Sequence, residues 1–272
     1  YYGYDDCVQT YSNSQLSETL LHSGYDSNGF CTKCGAYQPA EQDTDGYYMI
    51  GNAGQLYWFA EQDTIVNGNI ASNINGKLIA NIVVNKHVLD SVTINGNTEG
   101  FRTWTPIPKT GNYLGKFDGQ GHTISGLYNV EKAYRYLGIF GVVVGGEIKN
   151  LGIVDSYFLC GDGNFSGGIC GGKDGGIVEN CFNAATLAAE TENTGIGGIV
   201  ADNYNCTISN CHNIGLIPSY KYCGNICGKN FNGNISNCYY LQGLQDACAK
   251  GVGYDVDGSV NIKEKTTDQF ES

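Results

Sequence analysis

The chain has 272 residues, with 15 Lys and Arg against 27 Asp and Glu and a formal net charge of -12. Cations this few, scattered singly, do not make the basic stripe that displaces counterions from nucleic acid, and anionic membrane surfaces are disfavoured for the same reason. No run approaches the roughly 18 apolar residues of a membrane span, and 40 glycines against 4 prolines indicate many tight turns rather than a Pro-rich stalk. The chain opens on Tyr1 with neither an initiator methionine nor a signal peptide, as expected of a mature or excised fragment.

Residues 1–45 form a polar N-terminal extension carrying Cys7, His22 and Cys31-Thr32-Lys33-Cys34-Gly35. Cys-x-x-Cys-Gly is half of a zinc knuckle. A turn of that spacing lets both thiolates face one ion, and Cys7 with His22 would complete a tetrahedral structural zinc site. In an exported setting Cys7 could instead pair with Cys31 or Cys34 as a plain disulfide. Haem attachment would need a histidine directly after the second cysteine, where Gly35 stands, and nothing calls for a nucleotide.

Residues 46–61 read as a cap. In the window 53–62, Leu56, Phe59 and Ala60 share one helical face, as an amphipathic helix closing a solenoid would arrange them, with Trp58 plugging the open end. Lys77 to Asn85 and Val92-Thr93-Ile94 look like the first, less regular strands. The irregular loop 98–112 holds Arg102, Trp104, Pro106 and Pro108, for which a structural role is expected. Asp118-Gly119-Gln120-Gly121-His122 reads as a tight turn between strands.

From Tyr136 to Leu241 a block of sequence occurs four times. Ile139, Ile169, Ile199 and Ile226 follow a glycine step at intervals of 30, 30 and 27 residues, and Asn150, Asn180, Asn210 and Asn237 repeat the same intervals. Self-similarity at such a period marks stacked units. The apolar stretches within each copy are short and separated by Gly, Asn and Asp, which suits brief strands and turns rather than helices. An all-β, right-handed parallel β-helix over residues 46–245 fits best. The four isoleucines would stack as one internal ladder, Ile148, Ile177, Ile208 and Ile235 as a second, and Leu151, Cys181, Cys211 and Cys238 as a third, its cysteines packing as small hydrophobes. The four asparagines would stack at a corner, where left-handed backbone is tolerated.

Cys170 and Cys227 fall about two coils, roughly 9 to 10 Å, apart, beyond the ~7 Å that a disulfide spans. Cys160, Cys206, Cys223 and Cys248 read as loop or cap positions and hence as disulfide candidates. After Leu241 the pattern decays, so 246–272 is expected to be a second cap and tail. Asp255 to Asn261, with Glu264, partly matches a calcium loop, but Gly253 stands at the first ligand position, which favours a polar turn.

A hydrolytic site needs two converging carboxylates, whereas Asp155, Asp174, Glu179 and Asp202 occupy different phases of the repeat. No catalytic residue is therefore expected. Tyr204, Tyr220 and Tyr222 are loop candidates for stacking against sugar rings, with ordinary surface packing as the plainer alternative.

Gly167-Gly168-Ile169-Cys170-Gly171, continuing through Ile177-Val178-Glu179-Asn180-Cys181-Phe182-Asn183, resembles the GLUG repeat of bacterial surface proteins. The segments from Tyr47 to Ala60 and from Phe117 to Ile124 resemble the opening of such domains in large secreted proteins of gut Firmicutes. The resemblance covers about residues 46 to 245. It implies a β-helix in the medium or on the cell surface, often a non-catalytic part of an adhesin or of a larger protease or glycosidase. Metallopeptidases attached to some relatives use a His-Glu-x-x-His helix, and none of His22, His87, His122 or His212 sits in one. The expectation is an extracellular structural or adhesive module, with self-association into a filament or binding to host or dietary glycans, and a carbohydrate-active β-helix enzyme as the alternative.

Overall fold

The computed structural model describes residues 7–10, 19–22, 24–92, 96–244 and 247–271, and for 7–10, 19–22 and 271 it describes the backbone. The chain winds into a parallel β-solenoid of about seven turns. One face stacks Tyr47–Ile50, Asn75–Leu78, Lys116–Asp118, Glu147–Lys149, Ile177–Glu179, Thr207–Ser209, Asn234–Leu241 and Ser259–Lys265, each strand parallel to the next. A second face runs from Ile82–Val83 through Thr123–Ser125, Gly152–Cys160 and Phe182–Ala189 to His212–Asn213. A third runs from Asn69–Ser72 through Asn112–Tyr113, Phe140–Val144, Cys170–Asp174, Val200–Tyr204 and Cys227–Phe231 to Val252–Val256. Tyr136–Leu137, Phe165–Gly167, Gly195–Gly197 and Tyr222–Gly224 form a short fourth face.

Inward positions stack coil upon coil. Ile139, Ile169, Ile199 and Ile226 are each fully buried, and the Ile169 and Ile199 amides donate one coil onward, to the Ile199 and Ile226 carbonyls. The second ladder differs from its sequence reading. Ile148, Val178, Ile208 and Ile235 are successive Cα partners, while Ile177 pairs with Glu147 and Thr207 and is 40% exposed. Two adjacent β-branched residues compete for that slot, and strand alternation gives it to Val178, which like Ile148, Ile208 and Ile235 stands two residues before its left-handed corner asparagine. Toward the N-terminal end the same row continues through Phe117 and Gly76. A Cβ at Gly76 would meet the Phe59 ring at 2.7 Å, so glycine here makes room for aromatic packing.

Corners are set by left-handed residues. Asn150, Asn180, Asn210 and Asn237 have φ of 54, 53, 53 and 52°, which glycine and asparagine tolerate best. Asn180 donates to Asn150 Oδ1 at 3.1 Å and Asn150 to Asp118 Oδ1 at 2.9 Å. Asn237 donates to Asn210 Oδ1 at 2.5 Å, whereas Asn210 turns to the Glu179 carboxylate at 3.3 Å, so the amide stack is two pairs, each ending on an acid. A second left-handed row, Gly145, Gly175, Asn205, Asn232 and Asp257, lies at the opposite end of the same face.

Two further asparagine rows run inside the solenoid. Asn183 donates to Asn213 at 2.6 Å, Asn213 to Asn225 at 2.9 Å, and Asn225 to the Cys248 carbonyl at 2.5 Å. On the third face Asn203 donates to Asn230 at 2.7 Å and Asn230 to Asp255 at 2.6 Å. All five asparagines are about 99% buried or more, so these bonds replace water for groups that would otherwise be costly to bury.

The N-terminal end is closed by the helix Ala53–Ala60, capped by the Asn52 side chain accepting from the Gln55 amide. Leu56, Phe59 and Ala60 are buried. The plug is made by Phe59, packed on Tyr113 and Phe117, and by Tyr57, packed on Trp104. Trp58 is only half-buried, against Tyr48. Trp104 is fully buried with its Nε1 donating to the Gly138 carbonyl at 2.9 Å. Strands form at Asn75–Leu78 and Ile82–Val83, but Val92 follows a short helix, Val88–Asp90, rather than lying in a strand, and Thr93 and Ile94 lie outside the described residues. Part of the N-terminal extension joins the solenoid: Glu41–Gln42 pairs antiparallel with Tyr47–Ile50, and Phe30 and Ala40 enter the core.

The coil also runs past residue 245. Val252–Val256 and Ser259–Lys265 pair parallel with the coil below, so this stretch is a further turn of the solenoid followed by the helix Thr267–Glu271, not a cap and tail. The partial calcium-loop sequence is accordingly two strands around a corner at Asp257, and Asp255 terminates an asparagine row.

Candidate functional site

The Cys31-Thr32-Lys33-Cys34-Gly35 segment occupies a tight turn. Cys31 is buried and Cys34 exposed; the Gly35 amide donates to the Cys31 carbonyl at 2.8 Å, the Cys31 amide donates to Ala36 at 2.7 Å, and Gly35 has φ of 74°. Cys7 and His22 are Cα partners across a two-stranded antiparallel ribbon, and their side chains lie outside the described residues. No group of three or more metal-ligating side chains occurs among the described residues.

The coil cysteines are interior. Cys160, Cys170, Cys181, Cys206, Cys211, Cys223, Cys227, Cys238 and Cys248 are buried free thiols. Cys160, Cys206, Cys223 and Cys248 are thus not the loop disulfides their sequence positions suggested. Cys160 ends a strand facing inward and Cys223 lies in the fourth face, where a thiol packs as a small hydrophobe. In the ladder the Cys181, Cys211 and Cys238 thiols donate to carbonyls two residues earlier, at 3.2, 3.1 and 3.3 Å. Burial pushes the Cys160 thiol up to about 12, and those of Cys206 and Cys223 to about 11, so none of these three offers a thiolate nucleophile at neutral pH.

Chemistry instead gathers on the outer side of the third face. Asp202 and Gly172 are neighbours across two strands, as are Tyr204 and Asp174. Strand alternation therefore turns both Asp174 and Asp202 outward, and both line a cleft of about 170 Å³ with Tyr136, Val142, Val144, Gly172, Lys173 and Tyr204. One strand spacing and a two-residue offset put their Cα atoms roughly 8 Å apart. The sequence reading that these acids do not converge is corrected here: Asp174 and Asp202 sit two residues apart in strand register, an even offset that keeps them on one face.

Asp202 is only 5% exposed. Burial raises its carboxyl above the ordinary range, opposed by the Lys229 and Arg135 charges and the Tyr136 hydroxyl, while its Oδ1 has no hydrogen-bond partner. Around it the rings are paired: Tyr136 on Phe165 at 5.3 Å and Tyr204 on Phe231 at 4.7 Å, with interplanar angles of 14 and 10°. A Cβ at Gly172 would meet the Tyr136 ring at 3.0 Å, so glycine seats that ring against the sheet. Lys229 reaches over the Phe165 and Tyr222 rings. Beneath, Lys173 points inward and donates to the Gly146 and Gly175 carbonyls, both at 2.8 Å, with its ammonium pKa lowered by burial.

Of the tyrosines singled out in the sequence, Tyr204 is the one in this cleft. Tyr222 lies in a strand, and Tyr220 borders a wider depression of about 520 Å³ whose lining, Thr186 to Ala189, Leu216 and Pro218 to Tyr220, holds no acid or base apart from the tyrosine.

No protein-family model matches this chain, and no curated protein matches it. Among solved structures, a "putative immunoglobulin A1 protease" from Bacteroides ovatus is similar over 87% of this chain and 89% of that one, at 15% identity and a TM-score of 0.42.

Proposed function

We propose that the protein is a non-catalytic, extracellular structural or adhesive module of a bacterial surface or secreted protein, of the GLUG-repeat kind. The observation that carries this reading is the unbroken parallel pairing of one face from Tyr47–Ile50 to Ser259–Lys265. About seven turns at about 4.8 Å each make a rigid rod of roughly 34 Å, packed with aliphatic, thiol and amide ladders. Such a rod suits holding a surface at a fixed spacing, or stacking into a filament, better than it suits enclosing a substrate. Zinc bound by Cys7, His22, Cys31 and Cys34 would hold the N-terminal extension together.

The test is electron microscopy of the native protein at side-chain resolution, with elemental analysis for zinc on the same sample. Ordered polymers joined through 1–45 or the C-terminal coil establish a filament subunit. Single rods without contacts remove the filament, and a zinc content near zero removes the metal site.

A second reading, a carbohydrate-active enzyme, is favoured by Asp174 and Asp202 lining one cleft with the Asp202 carboxyl raised, since a glycosidase acid needs a raised pKa beside a second carboxylate. Release of reducing ends from polysaccharides, abolished in Asp202→Asn, would establish it.

A further inference from the structure

We propose that the cleft formed by Asp174, Asp202, Tyr136 and Tyr204 binds one residue of a neutral glycan. The inference deepens the adhesive reading above and rests on it in taking the module to be non-catalytic.

Asp202 is about 95% buried yet borders an open cleft, and its Oδ1 lacks a donor. That oxygen is closed off from the cleft, so Asp202 meets a sugar hydroxyl through its other carboxylate oxygen, beside the Tyr136 hydroxyl. Asp174 is a second acceptor in the same cleft, so adjacent hydroxyls of one ring can each meet a carboxylate.

Charge selects the ligand class. Two carboxylates face the cleft, and two cations, Lys229 and Arg135, act on Asp202 from beside it. An acidic sugar would meet Asp174 and Asp202, and an amine would meet Lys229 and Arg135. A neutral, hydroxyl-rich ring meets neither penalty.

Size and platform agree with this choice. The cleft holds about 170 Å³, roughly six waters at about 30 Å³ each, which suits a single ring. Tyr204 is 42% exposed and is held from behind by Phe231, giving a rigid apolar face that loses little side-chain entropy on binding. The Tyr136 ring is fixed by Phe165 and by the absence of a side chain at Gly172.

The test is to screen the full chain on an array of neutral gluco-, galacto- and manno-oligosaccharides together with sialylated and uronate glycans. The best soluble neutral oligosaccharide is then titrated by calorimetry. Asp202→Asn and Tyr204→Ala should each weaken binding at least tenfold, as loss of a charge-assisted bond or a ring platform implies, while circular dichroism shows the solenoid intact. Tyr220→Ala, in the larger depression, should leave affinity unchanged. No neutral ligand, a preference for acidic glycans, or binding that survives both cleft variants overturns the site while leaving the structural module standing. Turnover of the bound glycan that both cleft variants abolish would keep the site and overturn the non-catalytic reading instead.

Discussion

Replacing Asn213 with alanine tests whether the interior amide rows hold the coils together. Asn213 is 1% exposed. It accepts from Asn183 at 2.6 Å and from the Gly215 amide at 3.2 Å, and donates to the Gly215 carbonyl at 3.0 Å and to Asn225 Oδ1 at 2.9 Å. After truncation the Gly215 amide keeps the Asn183 carbonyl at 3.1 Å, and Asn183 Nδ2 keeps a weak bond to Ala185 at 3.4 Å. The Gly215 carbonyl and Asn225 Oδ1 lose their Asn213 donor. Two buried acceptors orphaned at about 1–3 kcal/mol each predict a loss of about 2–6 kcal/mol. Asn237→Ala at the exposed corner gives the comparison: water can replace its bonds, so the loss should be only about 1–2 kcal/mol, part of it the left-handed backbone that alanine dislikes. The assay is guanidinium unfolding followed by circular dichroism. Hydrogen exchange across 182–187 and 212–216 should accompany it, because stacked units need not unfold in one step. A midpoint shift for Asn213→Ala no larger than that for Asn237→Ala would refute the argument that these rows are structural ties.

The register of the second ladder predicts that Val178→Ala lowers stability by about 1–3 kcal/mol through a lost methyl pair and the cavity left behind, while Ile177→Ala stays within about 0.5 kcal/mol; equal losses in thermal melts would reinstate Ile177 in the core. The thiols predict alkaline fragility. Folded Cys160, Cys206 and Cys223 titrate near 12, 11 and 11 against an ordinary value of 9.0, so their stabilising contribution is complete below about 9 and drains away as pH climbs through 11 to 12. Melting temperature should fall from about pH 9 upward, and triple replacement of these cysteines by alanine should flatten that slope even if it lowers the starting value. For Asp202 the raised carboxyl pKa has the same sign: protonation favours the folded state, and that advantage is lost as pH rises through the folded value. Asp202→Asn should therefore melt higher than the wild type at pH 7, with the gap closing in acid; a lower melt at pH 7 would mean that attraction to Lys229 and Arg135 outweighs desolvation.

The solenoid was legible because its main ladder and corner repeat the same residue type in four successive coils. Ile139, Ile169, Ile199 and Ile226 sit one repeat apart, and so do the four corner asparagines with φ of 52 to 54°. What escaped was whatever depends on the parity of a strand rather than on the identity of a repeat. Ile177 and Val178 are equally apolar, and only the position of the corner decides which faces inward. Asn183, Asn213 and Asn225 form one row although Asn225 belongs to the next copy's glycine step, 12 residues after Asn213 rather than 30, so no fixed period reveals it. The last coil escaped because Val252, Asp255 and Val260, which stand in register with the inward Cys227, Asn230 and Ile235, share no repeat signature with the coils below, yet backbone pairing alone is enough to extend a parallel stack.

Asp174 and Asp202 belong with these cases. Their separation is 28 residues in a 30-residue repeat, which looks like a difference of phase. Within a strand, though, two residues are one full period, so an offset of two brings the side chains back to the same face. A phase mismatch of one would have buried one of the two acids among the ladders. The mismatch of two leaves both outside, beside the stacked tyrosines, in a cleft where carboxylates and aromatic rings meet. In a β-solenoid, acids should therefore be compared by the parity of their offset from the repeat, because even offsets gather side chains on one surface and odd ones divide them between surface and core.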